Sequence, residues 1–329
     1  MNSVILDTEF SIFDFRFWIY FLNLAWRSLV GVVFLGAMFL FAGCSNELIP
    51  VGEAGITTNS SAYVTKVFEY QYAPGQHASQ IPSVEEGNNF VGEPWKNSKP
   101  FTSLGGWGGY LVAGFDHAID NGNGPDIAIY TQPSVASEPG VVFVMTDVNK
   151  DGIPNDGAWL EIKGSEYNHA ETIHNYEVTY YKPGASGYVS WKDNQGKTGT
   201  LVPEFGTDSW WWKGYGAGSS VTFTGVKLPN AYVNSSKDPA IEFWLPQTGL
   251  FKFGYAECYE NEDYHSSLKA NLVDISSAVD GSGRAANLSK VHFIKIQSGV
   301  FQIAGWLNEI STEISGAADL HLLDKKSYQ

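Results

Sequence analysis

From position 63 onward, short apolar segments rich in β-branched and aromatic residues recur along the chain, separated by clusters of Gly, Pro, Asn and Asp. That punctuation predicts strands joined by turns. The predicted strands cover 64–72, 109–115, 126–130, 140–146, 159–162, 176–181, 187–191, 220–224, 241–244, 251–255, 272–275 and 291–297. Several alternate with period two. In Tyr176-Glu-Val-Thr-Tyr-Tyr181 and Val291-His-Phe-Ile-Lys-Ile296 one face is apolar and the other mixed. Alternation of this kind implies strands with one wet face, and hence antiparallel sheets. Long runs of strong helix formers are missing, so a helical bundle is excluded. Strands in this number call for a sandwich, because a single open sheet would leave too much apolar face in water. No repeat and no low-complexity linker divides the segment. The expected organisation is one all-β, antiparallel sandwich over 61–323, followed by a tail at 324–329.

The N-terminus follows a different pattern. Residues 29–43 read LVGVVFLGAMFLFAG, an uncharged apolar run just after Arg27, and Cys44 follows at once. The run is shorter than the ~20 residues of a membrane-spanning helix and fits the core of a signal peptide. Ala42-Gly43-Cys44 resembles a bacterial lipobox. The resemblance implies that residues 1–43 are removed and that Cys44 carries acyl chains that hold the protein to a lipid bilayer. It also implies an outer-membrane lipoprotein of the cell envelope. Residues 44–60, polar and containing Gly, Ser and Asn, then read as a flexible tether. The alternative is a transmembrane anchor beginning further upstream, since 17–26 is also apolar.

Composition narrows the function. With 35 Asp+Glu against 20 Lys+Arg the formal net charge is −15. An acidic chain without a basic run is no partner for nucleic-acid phosphates. The 20 Phe, 17 Tyr and 11 Trp exclude disorder, because aromatics at this density bury a large core. There are two cysteines. With Cys44 assigned to lipid, no disulfide framework exists, and Cys258 reads as a buried small hydrophobe.

Three groups of residues carry candidate chemistry. Asp147-Val-Asn149-Lys-Asp151-Gly152-Ile153 places oxygen-bearing side chains at relative positions 1, 3 and 5, glycine at 6 and a carbonyl at 7. That is the first half of a calcium loop. The bidentate acid of the standard loop is replaced by Ala158, so Asp156 or Glu161 would have to complete the cage. The alternative is a plain Asn/Asp/Gly turn. Asp116, Asn121, Asn123, Asp126 and Glu138 form a second oxygen-rich group, a second cation site or a set of Asx turns. In the third group, Trp210, Trp211 and Trp212 precede Tyr215. Three consecutive indoles cannot all enter one face of a strand. The expectation is an exposed stacking surface for a ligand, joined by Trp107 and Trp306, with packing of one sandwich end as the alternative.

Catalytic signatures are weak. The histidines show no HExxH spacing and no Gly-x-Ser-x-Gly elbow occurs. Glu309 and Glu313 are a carboxylate pair of the kind glycosidases use, but any acidic chain offers such pairs. His117 reads as a structural hydrogen-bonding residue.

The stretch Ser103-Leu-Gly-Gly-Trp-Gly-Gly-Tyr-Leu-Val-Ala-Gly-Phe-Asp-His117 is followed by Asn121-Gly-Asn-Gly-Pro-Asp126, Ser137-Glu-Pro-Gly140, Asp147-Val-Asn-Lys-Asp-Gly152 and Lys163-Gly-Ser-Glu166. This order, together with 305–314, resembles the cell-surface lipoproteins of gut Bacteroidetes described as PKD-domain-containing. More distantly it resembles galactose-binding-like jelly rolls. The PKD module itself is missing. The resemblance implies a jelly-roll-like sandwich that captures a nutrient ligand, either a glycan or a vitamin such as a corrinoid; the Asp147 loop adds the expectation that calcium stabilises it. An enzyme acting on glycans is one alternative. A structural or adhesive protein accessory to an outer-membrane transporter is the other.

Overall fold

The computed structural model describes residues 56–75, 84–94, 101–131, 137–185, 187–202, 212, 215–238, 240–259, 261–304 and 309–323. All of them fall within one unit spanning 49–329. Cys44, the apolar run before it, Trp210, Trp211 and Trp306 lie outside the described residues.

Eighteen strands follow one another, with no α-helix among the described residues. They are β1 (Lys66–Gln71), β2 (Thr102–Ser103), β3 (Tyr110–Asp120), β4 (Ile127–Thr131), β5 (Gly140–Met145) and β6 (Leu160–Ile162). Next come β7 (Ile173–Tyr181), β8 (Val189–Asp193), β9 (Thr198–Leu201), β10 (Ser220–Lys227), β11 (Tyr232–Asn234) and β12 (Trp244–Pro246). The last are β13 (Tyr255–Ala256), β14 (Tyr264–His265), β15 (Ala270–Val273), β16 (Ala278–Val279), β17 (Lys290–Ser298) and β18 (Glu313–Asp319). Every strand-to-strand ladder is antiparallel. Among the described residues no helix is long and apolar enough to cross a membrane.

The frame is a β-sandwich, as the alternation predicts. A seven-stranded sheet runs in the order β1-β3-β17-β5-β6-β16, with β13 added to β5. A five-stranded sheet runs β14-β15-β4-β18-β2. Their facing sides form the main core, where Leu111, Ala113, Val142, Val144, Ile294 and Ile296 meet Ile127, Ile129, Ile314 and Ala317. Because successive side chains point to opposite faces, the intervening residues Phe143, Lys295 and Gln297 leave this core. They face a four-stranded sheet, β10-β7-β8-β9. β5 is consequently buried over its whole length. The four-stranded sheet has its own core, in which Tyr176, Val178, Tyr180, Val189, Leu201 and Phe223 close over Trp107 and Trp212. Cys258 is fully buried beside Val141 and Tyr255, and burial pushes its thiol well above the ordinary range. It is the small hydrophobe its isolation suggests.

Candidate functional site

A cavity of about 580 Å³ opens between the seven-stranded and four-stranded sheets, within the range of ~300–1,000 Å³ usual for small-ligand sites. Phe143, Glu161, Lys295 and Gln297 form the wall from β5, β6 and β17. Facing them are His174, Asn175 and Glu177 of β7 and Thr224, Gly225 and Val226 of β10, with Trp159 and Tyr167 at the margin. The site therefore combines aromatic faces with polar groups.

Two buried oxygens in this wall lack partners. Glu161 is 8 % exposed. Its Oε2 lies 3.4 Å from His174 Nδ1, while its Oε1 is buried without a hydrogen bond. Burial lifts the Glu161 carboxyl to a pKa of about 8, so it carries a proton through neutral pH. Gln297 spends its amide nitrogen on the carbonyls of Gly108 and Thr224, at 2.9 and 3.0 Å. Its Oε1 is buried and unserved. A Cβ at position 225 would sit 1.8 Å from that oxygen, so glycine there is what lets Gln297 reach between the sheets. Lys295 is engaged with rings, its Nζ 4.5 Å from the Tyr110 centroid and 5.4 Å from that of Phe143. Burial draws its pKa down. A second concavity of about 450 Å³ lies on the four-stranded sheet, over Tyr176, Trp191 and Phe301 with Lys197 and Lys227 at its edge.

Of the expected aromatic surface, Trp107, Trp212 and Tyr215 lie among the described residues. Trp107 is 1 % exposed, donates from Nε1 to the Val226 carbonyl at 3.2 Å and stands edge-on to Tyr176 at 4.8 Å. Trp212 is buried, with Nε1 donating to the Gly218 carbonyl at 3.0 Å. Tyr215 packs edge-on against it at 4.8 Å and gives its hydroxyl hydrogen to the Tyr72 carbonyl. Trp107, Trp212 and Tyr215 are thus packing residues, because each polar tip has found a backbone acceptor inside the fold.

The second oxygen-rich group does not converge. Asp116 sits in the middle of β3, where its Oδ1 meets His117 Nδ1 at 2.7 Å and its Oδ2 accepts the Ser61 N–H at 3.1 Å. Asp126 is fully buried and spends both oxygens locally, on Gly122 N–H at 2.7 Å and Ile275 N–H at 2.9 Å. Asn121 bonds Leu288 and Ser276, and Asn123 is exposed. Glu138 lies elsewhere, with Glu257 and Glu313, where the three carboxyls approach within 4.8 Å of one another. Separate hydrogen bonds to neighbouring segments of the fold, not a shared cage, engage Asp116, Asn121 and Asp126. In the glutamate group, Ser311 N–H serves Glu138 at 2.8 Å and Glu313 N–H serves Glu257 at 2.5 Å. Burial first, then mutual repulsion, pushes the Glu257 and Glu313 carboxyls well above the usual range, and burial lifts Glu138 to about 8. Glu309 and Glu313 are therefore not a pair flanking the cavity.

Glu161 also leaves the cation loop. It pairs with Phe143 across β5 and β6, four residues from Asp147 along the strand, or roughly 13 Å at the usual rise. One feature of the sequence marked part of the cavity: the polar face of 291–297 supplies Lys295 and Gln297. His174 and Glu177, three residues apart on β7, reach the same side across the left-handed Asn175. No motif spacing links the residues of the two facing walls, because they come from five strands, β5, β6, β7, β10 and β17. No protein-family model matches the chain, and no curated protein matches it.

Proposed function

We propose that this chain is a lipid-anchored binding protein of the cell envelope that captures a short glycan, without turnover, in the cavity between the two sheets. The observation that carries the reading is the pair of unserved acceptors, Glu161 Oε1 and Gln297 Oε1. An unpaired buried oxygen costs about 1–3 kcal/mol, and hydroxyl groups of a sugar supply the missing donors. Trp159, Tyr167 and Phe143 offer planar faces for sugar C–H surfaces. Anchorage rests on the uncharged run that ends at Cys44. The accessory role beside an outer-membrane transporter draws support from Val233, Ile241, Phe243 and Leu245, which are exposed apolar side chains around β11 and β12.

Calorimetry of the full chain in detergent, against neutral oligosaccharides and a corrinoid, tests the capture. Binding of a glycan that falls at least tenfold in Trp159→Ala and in Glu161→Ala is expected. Binding of the corrinoid alone would replace the ligand class. Release of reducing sugar ends would make the protein a hydrolase, with Glu161 as its acid. Binding unchanged in both variants would remove the cavity from consideration. For the anchor, Cys44→Ala is expected to abolish labelling by a fatty-acid probe and to release the protein from the membrane fraction. Labelling that survives the substitution refutes it.

A further inference from the structure

The connection between β5 and β6 carries the Asp147–Asp156 loop, and its hydrogen bonding is incomplete in a specific way. Asp147 is 4 % exposed. Its Oδ2 accepts the Gly152 N–H at 2.9 Å, which turns the carboxylate into the loop, while its Oδ1 is buried with no partner. Asp156 mirrors this from the other end. Its Oδ1 accepts the Asn149 N–H at 3.0 Å, and its Oδ2 is likewise buried and unserved. Asn149 Oδ1 accepts the Asp151 N–H at 2.9 Å, and Asp151 Oδ1 accepts the Ile153 N–H at 2.8 Å. These contacts wind the chain into a tight coil, in which Gly152 adopts φ 70°.

A plain Asx turn would leave its outer carboxylate oxygens in water. Here two carboxylates, each fixed through one oxygen to the loop's own backbone, hold the other oxygen away from solvent. His292 Nδ1 accepts the Asp147 N–H at 3.0 Å, so that ring nitrogen has no hydrogen to give to the carboxylate. Buried anionic oxygens without a donor are stabilised by a metal ion. The donor set on offer is carboxylate, side-chain amide and backbone carbonyl, all hard oxygens on an irregular loop. Such a set favours calcium, which accepts variable geometry, over magnesium, which demands a near-ideal octahedron.

We infer that Asp147 and Asp156, through their buried unserved oxygens, with the Asn149 side-chain oxygen and the Ile153 carbonyl, form a calcium site that closes the β5–β6 connection. This inference is independent of the glycan reading. One ion per chain binds, and the buried oxygens of Asp147 and Asp156 are its essential ligands.

Equilibrium dialysis of the full chain with radioactive calcium, after chelator treatment, provides the test. One calcium per chain is expected. Asp147→Asn and Asp156→Asn keep the side-chain shape and an oxygen acceptor for the loop N–H groups, so both variants fold. Each is expected to weaken calcium binding at least tenfold, and a chelator-dependent drop in melting temperature in the parent protein disappears in them. Glu257→Gln, in the buried glutamate group, is expected to keep the ion. No binding at millimolar calcium overturns the inference, as does binding undiminished in Asp147→Asn and Asp156→Asn. Equal affinity for magnesium overturns the assignment to calcium. Loss of the ion in Glu257→Gln alone moves the site to the glutamates and refutes the loop.

Discussion

Replacing Trp107 by Ala is expected to lower the stability of the folded chain by about 3–5 kcal/mol, the range for large aromatic truncations in packed interiors. The indole is 1 % exposed, lies edge-on to Tyr176 at 4.8 Å and holds the Val226 carbonyl at 3.2 Å. Its own carbonyl accepts the hydroxyl of the fully buried Tyr180 at 2.9 Å. Trp107 therefore joins the glycine-rich segment before β3 to the core of the four-stranded sheet and to the end of β10. Trp107→Phe keeps most of the apolar contact and leaves the Val226 carbonyl without its donor, so a smaller loss of about 1–3 kcal/mol is expected. Urea denaturation measures both, and an unchanged slope with a lowered midpoint marks a change of stability and not of the unfolded state. A loss below about 1 kcal/mol for Trp107→Ala would return this residue to the surface. The same substitution is also expected to leave the calcium stoichiometry of the folded protein unchanged, because Trp107 lies outside the β5–β6 loop.

The frame of the fold is legible wherever a strand has two unlike faces. In β17 the isoleucines at 294 and 296 turn to the core and Lys295 and Gln297 turn away, so period two is plain in the letters. β7 behaves in the same way. β18 is invisible to that reading. Glu313-Ile-Ser-Gly-Ala-Ala-Asp319 lies between β4 and β2 and is buried nearly throughout, but its small residues show neither alternation nor β-propensity. Its place is set by its ladders to β4 and β2. The coiled loop at Asp147–Asp156 is legible because its residues are contiguous, and its Asn/Asp/Gly hydrogen bonds follow from their spacing. The cavity is not, because Glu161, His174, Gly225 and Gln297 come together only through the stacking of sheets. Of the aromatic run 210–212, Trp212 alone lies among the described residues. Alternation limits what one strand face buries, but Trp212 is buried outside any strand, where that limit does not apply.

The second large effect is one of pH, and its sign is the reverse of that given by carboxylates paired with cations. His117 is fully buried, with Nε2 at 2.9 Å from Asp319 Oδ2 and Nδ1 at 2.7 Å from Asp116 Oδ1. Burial draws its pKa down, but the hydrogen bonds to Asp319 and then Asp116 outweigh it and leave the imidazole above its ordinary value. Both ring nitrogens face carboxylate oxygens, an arrangement that favours the protonated form. A group whose folded pKa is raised stabilises fully below its unfolded value, about 6.5 for histidine, and loses that contribution as pH climbs through the folded value. Glu138 and Glu161 act in the same direction, since burial raises both to about 8. Above an unfolded value of about 4.3 the native state keeps protons that the unfolded chain has released. Stability then falls with rising pH, by up to about 1.4 kcal/mol per pH unit for each group, until pH passes the folded value. Melting in the presence of chelator, which silences the cation loop, is therefore expected to give a higher midpoint at pH 5 than at pH 9. Glu138→Gln and Glu161→Gln are each expected to flatten that slope. Asp319→Ala leaves the buried imidazolium without its inner partner and is expected to lose about 3–5 kcal/mol at pH 5. The loss shrinks as pH climbs through the folded value of His117 and the ring gives up its proton. A parent protein more stable at pH 9 than at pH 5 would mean that these buried acids are ionised in the native state and that His117 is not the cation between Asp116 and Asp319.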